Sequence, residues 1–312
     1  MAMQITEFVK DIGRGHDGAR SLDAARARDL FSAVFAGQVG EFELGCILIA
    51  LRMKGESVDE LQGALAALDA HLLRIPVDAQ RPAVAIPSYN GARRLPNLVP
   101  LLASLLARAG AQVVVHGVRE DPKRVTTYQL MHALGLPVLG ETNPIGEPAA
   151  AFAAHQPLFV PIDLLSPPLA RLLALRWRAG VRNIGHTLAK LIDPCKPGSL
   201  RLTSFTHPEF DRLQHALLQR LHAHALVMRG TEGEVVADPR RQWAVDELRE
   251  GQARRLVEPD TSPLAEVPAL PPAHDIDATC AWIREALAGQ RAVPPNIARQ
   301  VQVIMDSAQS VV

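Results

Sequence analysis

Residues 86–127 read IPSYNGARRLPNLVPLLASLLARAGAQVVVHGVREDPKRVTT, and the alternation inside this stretch decides the fold. An apolar strand with Val84 and Ile86 enters a turn made of Pro87, Ser88, Asn90 and Gly91. A long apolar helix follows, then a second strand from Gln112 to Val115, and then a loop at its carboxyl end, His116-Gly117-Val118-Arg119. Strand, helix and strand at this spacing predict an open parallel sheet, with both loops above the strand ends, where such folds bind ligands. By its position the first loop reads as a phosphate-binding turn that has been rewritten.

Working outward, 312 residues with 48% hydrophobic content predict a packed globular chain and exclude a disordered one. No leader-like segment stands near Met1 and no apolar run is long enough to span a membrane, so no membrane partner and a cytoplasmic location are expected. Cys46, Cys195 and Cys280 form no CxxC pair and read as isolated small thiols. The net charge of zero conceals a division. Residues 1–80 hold 8 Lys/Arg against 12 Asp/Glu, residues 81–230 hold 17 against 8, and residues 231–312 hold 8 against 13, giving −4, +9 and −5. A basic middle beside two candidate phosphate loops points to an anionic ligand, although interdomain charge balance explains the same counts.

The first 78 residues read as helices only. Apolar residues at Ala27, Leu30, Phe31, Val34 and Phe35 follow helical spacing after Asp23 and stop at Gly37. Glu41 to Met53 is so apolar that it predicts a helix buried on most sides, ended by Gly55. Ser57 and Glu60 form a capping box for a third helix carrying Leu61, Ala64, Leu65 and Leu68. Small residues at Gly45, Ala50, Ala64 and Ala67 allow close helix contacts, within the bundle or across a dimer.

The string Ala50-Leu-Arg-Met-Lys-Gly-Glu56, after Gly13-Arg14-Gly15, resembles the N-terminal helical domain of the anthranilate phosphoribosyltransferase family, which shares its fold with pyrimidine nucleoside phosphorylases. The resemblance extends to about Asp238. It implies a small helical domain, residues 1–78 completed by about 165–195, and a larger α/β domain, residues 79–164 and 196–312, with a central, mostly parallel sheet. It also implies a homodimer formed through the N-terminal helices.

The family's chemistry is not kept intact. Its enzymes carry a glycine-rich GTGGD turn followed by Thr-Phe-Asn, whose backbone N–H groups approach a diphosphate closely. Here the positions read Pro87, Ser88, Tyr89, Asn90 and Gly91, with Asn97 matching the end. Proline supplies no N–H and tyrosine narrows the space. A KHGNR signature is half kept as His116, Gly117 and Arg119, with Thr126 and Thr127 for its serines and Lys123 and Arg124 on the same rim. His116 reads equally as a phosphate or base contact and as a hydrogen-bonded histidine at a strand end. The magnesium-binding Asp-Glu pair corresponds to Val235-Val236, with Glu232 and Glu234 nearby, expected to be exposed, solvated loop carboxylates. No metal and no cofactor are therefore expected, magnesium entering only with an active enzyme.

A third stretch, Arg171 to Asn183, matches the family helix ending in GxR, whose arginine binds the substrate's aromatic carboxylate; Arg182 keeps that identity. In one continuous helix Arg171, Arg178 and Arg182 fall within about 40°, unless Gly180 breaks it. With Trp177, Lys190 and Lys196 they suit phosphate contacts and base stacking. His222-Ala-His224 lacks acidic partners and reads as incidental. Farther on, Ala225 to Met228 predicts a buried strand. Prolines between Glu258 and Asp275 mark a surface connection, and two helices close the chain.

Two functions fit. In the first, the chain resembles the YbiB branch of the family and binds nucleic acid, single-stranded DNA or RNA, without sequence preference. Phosphates are then contacted by Arg93, Arg94, His116, Arg119, Lys123, Arg124, Arg171, Arg178, Arg182, Lys190, Lys196 and Arg201. Ser88, Asn90, Gly91, Asn97, Gly117, Thr126 and Thr127 mark the ancestral sugar-phosphate loop. In the second, the chain is a phosphoribosyltransferase or phosphorylase with an altered site, transferring between a ribosyl donor, phosphoribosyl diphosphate in the transferase case, and an aromatic or nucleobase-like acceptor.

Overall fold

A computed structural model describes residues 5–15, 17–141, 147–260, 262 and 269–309. The chain divides into two compact units, Met1–Leu73 with Ser166–Ile192, and Arg74–Leu165 with Asp193–Val312. Part of the connection expected between Glu258 and Asp275, residues 261 and 263–268, lies outside the described residues.

The first unit is helical. It begins with α1 (Ile5–Ile12), α2 (Ala24–Phe35), α3 (Glu41–Lys54) and α4 (Val58–Asp69). Asp23 starts α2 by accepting the Arg26 N–H at 2.8 Å. The predicted capping box of Ser57 and Glu60 starts α4. Glu60 is fully buried and also accepts the Leu22 N–H at 3.0 Å and the Lys54 ammonium at 2.7 Å. A single carboxylate thus ties the approach to α2, the end of α3 and the start of α4, which explains why Lys54 and Gly55 stand where they do.

The expectation that α3 is buried on most sides is corrected within this unit. Ile47, Leu48 and Leu51 enter the core, but Phe42 (80% exposed), Ile49 (42%) and Met53 (79%) form an open stripe. Seven- and four-residue spacing places these three on one helix face.

The second arm of this unit also departs from a continuous helix. It contains α9 (Pro167–Ala174), α10 (Arg176–Ala179) and α11 (Gly185–Leu188). The α9–α10 run is interrupted at Leu175 and ends at Gly180, which adopts a left-handed conformation (φ 75°). Arg182 therefore stands beyond the helix end, and no single arginine stripe runs from Arg171 to Arg182.

The second unit is an α/β layer structure. Its strands are β1 (Ile75–Pro76), β2 (Ala83–Ser88), β3 (Gln112–Gly117), β4 (Leu158–Pro161), β5 (Cys195–Lys196), β6 (Leu200–Phe205), β7 (Ala225–Arg229), β8 (Val245–Arg249) and β9 (Gln252–Val257). Seven of them form one sheet in the order β4-β3-β2-β6-β7-β8-β9, while β1 and β5 pair separately. The sheet is parallel from β4 through β7 and ends in the antiparallel β8 and β9. Its helices are α5 (Val99–Arg108), α6 (Thr127–Ala133), α7 (Pro148–Ala153), α8 (Ile162–Leu165), α12 (Pro208–Arg220), α13 (Ile276–Leu287) and α14 (Pro295–Gln309). Val84, Ile86, Val113 and Val115 meet Leu102 and Leu106 of α5, Ile283 of α13 and Ile304 of α14 in one buried core. Among the described residues no helix is long and apolar enough to cross a membrane.

The opening stretch differs from expectation at both loops. Pro87 and Ser88 still belong to β2, and His116 and Gly117 still belong to β3. Ser88 pairs with Gly117 in parallel register, and a Cβ on Gly117 would stand 2.0 Å from the Ser88 carbonyl oxygen. Only glycine fits there.

Candidate functional site

The segment from Tyr89 to Leu95 leads from β2 toward α5 and presents a row of backbone N–H groups, as the rewritten phosphate turn should. Those groups are already occupied. Glu234 Oε1 accepts the Asn90 and Gly91 N–H groups, each at 2.7 Å. Glu232 Oε2 accepts the Arg93 N–H at 2.7 Å, the Arg94 N–H at 2.9 Å and the Leu95 N–H at 3.4 Å. The two carboxylates stand where a bound anion would.

A tight turn delivers them. Glu232 (φ 53°) and Gly233 (φ 89°) are both left-handed, and the Glu234 N–H donates to the Thr231 carbonyl at 2.9 Å. Two successive residues of positive φ are what a type I′ turn requires. A Cβ on Gly233 would stand 2.0 Å from Asn90 Nδ2, so the turn and the loop interlock. Glu234 is only 2% exposed. The expectation that Glu232 and Glu234 are exposed, solvated carboxylates is therefore corrected, because both spend oxygens on amides some 140 residues earlier in the chain.

The polar residues of the ancestral loop are brought together but face one another. Ser88 Oγ and Thr127 Oγ1 lie 2.6 Å apart, and Asn97 Nδ2 donates to Thr127 Oγ1 at 2.7 Å. Thr126 caps α6 and donates its hydroxyl to the Arg119 carbonyl at 2.8 Å. The Tyr89 hydroxyl lies 2.8 Å from His116 Nδ1, with both side chains buried.

His116 is corrected as a phosphate or base contact. It is fully buried on β3, and burial lowers its pKa from the ordinary 6.5 to about 3, leaving it neutral. His186, buried in the helical unit, is likewise lowered to about 3. The sign follows from proton counting. An unfolded histidine binds a proton below about pH 6.5, whereas His116 in the folded chain stays unprotonated until about pH 3. The unfolded state binds more protons in that window, so stability is full above it and is lost as pH falls toward 3. His116→Gln is expected to reduce the stability lost between pH 7 and pH 4.5 by about 2–3 kcal/mol, read from urea midpoints at the two pH values.

The candidate cations are differently placed. Arg93, Arg94 and Lys123 are exposed around the loop. Arg119 Nη1 pairs with Glu141 at 3.2 Å, and the guanidinium lies 5.1 Å from the centre of the Tyr128 ring. Arg124 reaches the Gly91 carbonyl at 3.5 Å. In the helical unit Arg178 pairs with Glu41 at 3.2 Å and Arg171 reaches the Phe35 carbonyl at 3.3 Å. Lys196 is exposed on β5, outside the main sheet.

Arg201 is not brought to the loops. It sits near the amino end of β6, opposite Ala85 and Ala225. Four residues of strand, ~13 Å, separate it from the carboxyl end of β6. Burial lowers its pKa. As a phosphate contact of the loop rim, Arg201 is corrected.

Sequence reasoning missed a concavity of this unit. An open cleft of about 950 Å³ lies at the carboxyl ends of β2, β6 and β7, lined by Arg94, Arg229, Arg240, Arg241, Thr206, Glu232, Asp238 and Trp243. Asp238 accepts Arg240 Nε at 3.0 Å and Nη2 at 2.9 Å, and this pairing raises the Arg240 pKa. The Arg229 guanidinium stands 4.5 Å from the centre of the Trp243 ring. Both carboxylates of the cleft are thus committed, Glu232 to backbone amides and Asp238 to Arg240, and a cationic surface remains. Arg240 and Arg241 lie in the acidic segment 231–312, so segmental charge counts concealed them.

The donor set does not fit the family's magnesium and diphosphate. The N–H groups that would hold the diphosphate are taken, and the carboxylates nearest the former acidic pair are engaged with them. Among the described residues no group of three or more His, Cys, Asp or Glu side chains is arranged to hold a metal ion.

Comparison with known proteins bears on the whole chain. A family model described as "Glycosyl transferase family, helical bundle domain" matches residues 6–72. The "Uncharacterized protein YbiB" of Escherichia coli K12 is 42% identical over 302 residues, covering 96% of this chain and 92% of that protein. An anthranilate phosphoribosyltransferase of Beijerinckia indica is 28% identical over 300 residues, covering 95% of this chain and 84% of that protein. In fold, the chain is similar to the crystal structure of anthranilate phosphoribosyltransferase from Thermus thermophilus, with a TM-score of 0.75 at 22% identity, covering 99% of this chain and 95% of that one. The Saccharomyces cerevisiae enzyme in complex with PRPP and Mg gives 0.70 at 12% identity, covering 98% and 89%. With its helical bundle, its mostly parallel sheet and a relative this similar over nearly its full length, the chain belongs to the anthranilate phosphoribosyltransferase-like family.

Proposed function

We propose that this protein binds nucleic acid in the cytoplasm, single-stranded DNA or RNA with little sequence preference, and has given up sugar-diphosphate chemistry. The observation that carries the reading is the cationic cleft at the strand ends, beside a phosphate loop whose amides its own carboxylates fill. Polyanion binding needs many loosely spaced cations and tolerates a filled diphosphate site, whereas transfer chemistry needs that site open. Arg93, Arg94, Arg119, Lys123 and Arg124 of the α/β unit, with Lys196, act as phosphate contacts. Arg171, Arg178, Arg182 and Lys190 do the same on the helical unit. Titration of a labelled single strand by fluorescence anisotropy tests this. Affinity is expected to fall log-linearly with salt, several contacts giving a slope of about −0.7 each. A flat salt response, or no binding at low salt, overturns it.

The transferase reading rests on Asn97, Arg119 and Arg182, on the relatives' names, and on the yeast complex with PRPP and Mg. It requires Glu232 and Glu234 to leave the loop. Calorimetric titration with phosphoribosyl diphosphate and magnesium is expected to give no heat at millimolar ligand; saturable heat restores this reading.

The helical unit further supports a homodimer. Its open stripe of Phe42, Ile49 and Met53 leaves apolar area in water that a second copy would cover. The double variant Phe42→Asp and Met53→Asp is expected to sediment as a monomer while the parent sediments as a dimer. Equal sedimentation of the two removes α3 from the interface.

A further inference from the structure

Resting on the nucleic-acid reading, we infer that the Arg229–Trp243 pair is a stacking platform for an unpaired nucleobase, so that the cleft takes single-stranded segments in preference to duplex. Arg229 ends β7 and is exposed, with its guanidinium 4.5 Å from the centre of the indole ring. Both side chains line the same cleft. Guanidinium and indole planes are both protein surfaces on which bases stack, and a base offers a π-face whatever its identity.

The charge around the pair sets the second requirement. Arg240 is held by Asp238, while Arg94 and Arg241 carry no side-chain ion pair among the described residues. A ligand that satisfies the cleft must bring a planar face for Arg229 and Trp243 together with phosphate for Arg94 and Arg241. A duplex shows phosphates on its outside but keeps its bases in the stack, so it meets only half of this. An unpaired nucleotide within a strand meets both halves. At about 950 Å³ the cleft stands at the upper end of the range for pockets that bury drug-sized ligands, so it has room for a base with its flanking phosphates.

The test compares a labelled single strand with a hairpin duplex of equal phosphate number, using the full chain. Trp243→Ala is expected to weaken single-strand binding about tenfold. Duplex affinity and the slope of log affinity against log salt should stay unchanged, and Trp243→Phe should restore single-strand binding. An independent arm uses Trp177→Phe, where Trp243 is the more accessible of the remaining indoles because Trp282 is buried. Its emission should change on adding single strand and not on adding duplex. If the parent binds both nucleic acids but Trp243→Ala binds as the parent does, or loses both equally, the platform is overturned and the nucleic-acid reading stands. Should Trp243→Ala fail to fold, the fluorescence arm decides, and an unchanged emission overturns the platform. A parent that binds neither overturns both.

Discussion

Removing Arg94 and Arg241 together is expected to weaken nucleic-acid binding about tenfold or more at 0.1 M salt, for single strand and duplex alike, and to flatten the salt slope by about 1.4 for single strand and about 1.8 for duplex. Each lost phosphate contact removes one released counterion, so slope and affinity fall together. These two arginines are the effective pair because neither carries a side-chain ion pair among the described residues, whereas Arg240 is already held by Asp238. Arg94 is also well based, since its own N–H is fixed to Glu232 at 2.9 Å. Arg201→Gln is the matched control. It removes one charge where the double variant removes two, from the amino end of β6, and should leave both affinity and slope as they were. A double variant that keeps the parent's slope shows that the cleft does not carry the phosphates.

The second large effect concerns stability. Glu234→Ala is expected to lower the unfolding free energy by about 2–4 kcal/mol, seen as a lower urea midpoint with an unchanged slope. The carboxylate accepts two buried N–H groups at 2.7 Å each, and alanine leaves both unsatisfied. Glu234→Gln keeps an acceptor oxygen and should lose about half as much. The Glu232→Ala change, at a half-buried position where water can replace the carboxylate, should lose less still. A Glu234→Ala midpoint within error of the parent's means that the loop rearranges to satisfy its amides elsewhere.

Much of the architecture was legible because it is local. The spacing from Ala27 to Phe35, the Ser57–Glu60 box and the glycines at 37 and 55 fixed three helices, and the apolar runs around Ile86 and Val114 fixed the first two long strands. The β8–β9 hairpin was hidden because Glu247 points inward on β8. It is only 5% exposed and accepts the Ser307 hydroxyl at 2.6 Å, so the apolar alternation of a strand is broken by a buried acid. His116 looked like a loop residue because Gly117 follows it, but that glycine serves the close approach of two strands. The filled loop was illegible for a different reason. Its partners are 137 to 144 residues apart, and no periodicity connects Glu232 and Glu234 with the amides they hold. The cleft was missed because Arg229, Arg240, Arg241 and Trp243 belong to two segments of opposite net charge.

The turn that places Glu232 and Glu234 also sets a threshold for any free anion. A carboxylate delivered on a turn of fixed geometry competes as if present at a very high local concentration, well above the millimolar value reached by a short flexible tether. A cellular phosphate ester at micromolar or millimolar levels must displace two such groups at once, and the turn holds them together. The loop is therefore expected not to respond to ordinary changes in metabolite concentration. On the proposed reading, a polyanion in the neighbouring cleft would not face that competition, because its contacts would be the arginine side chains and not the amides.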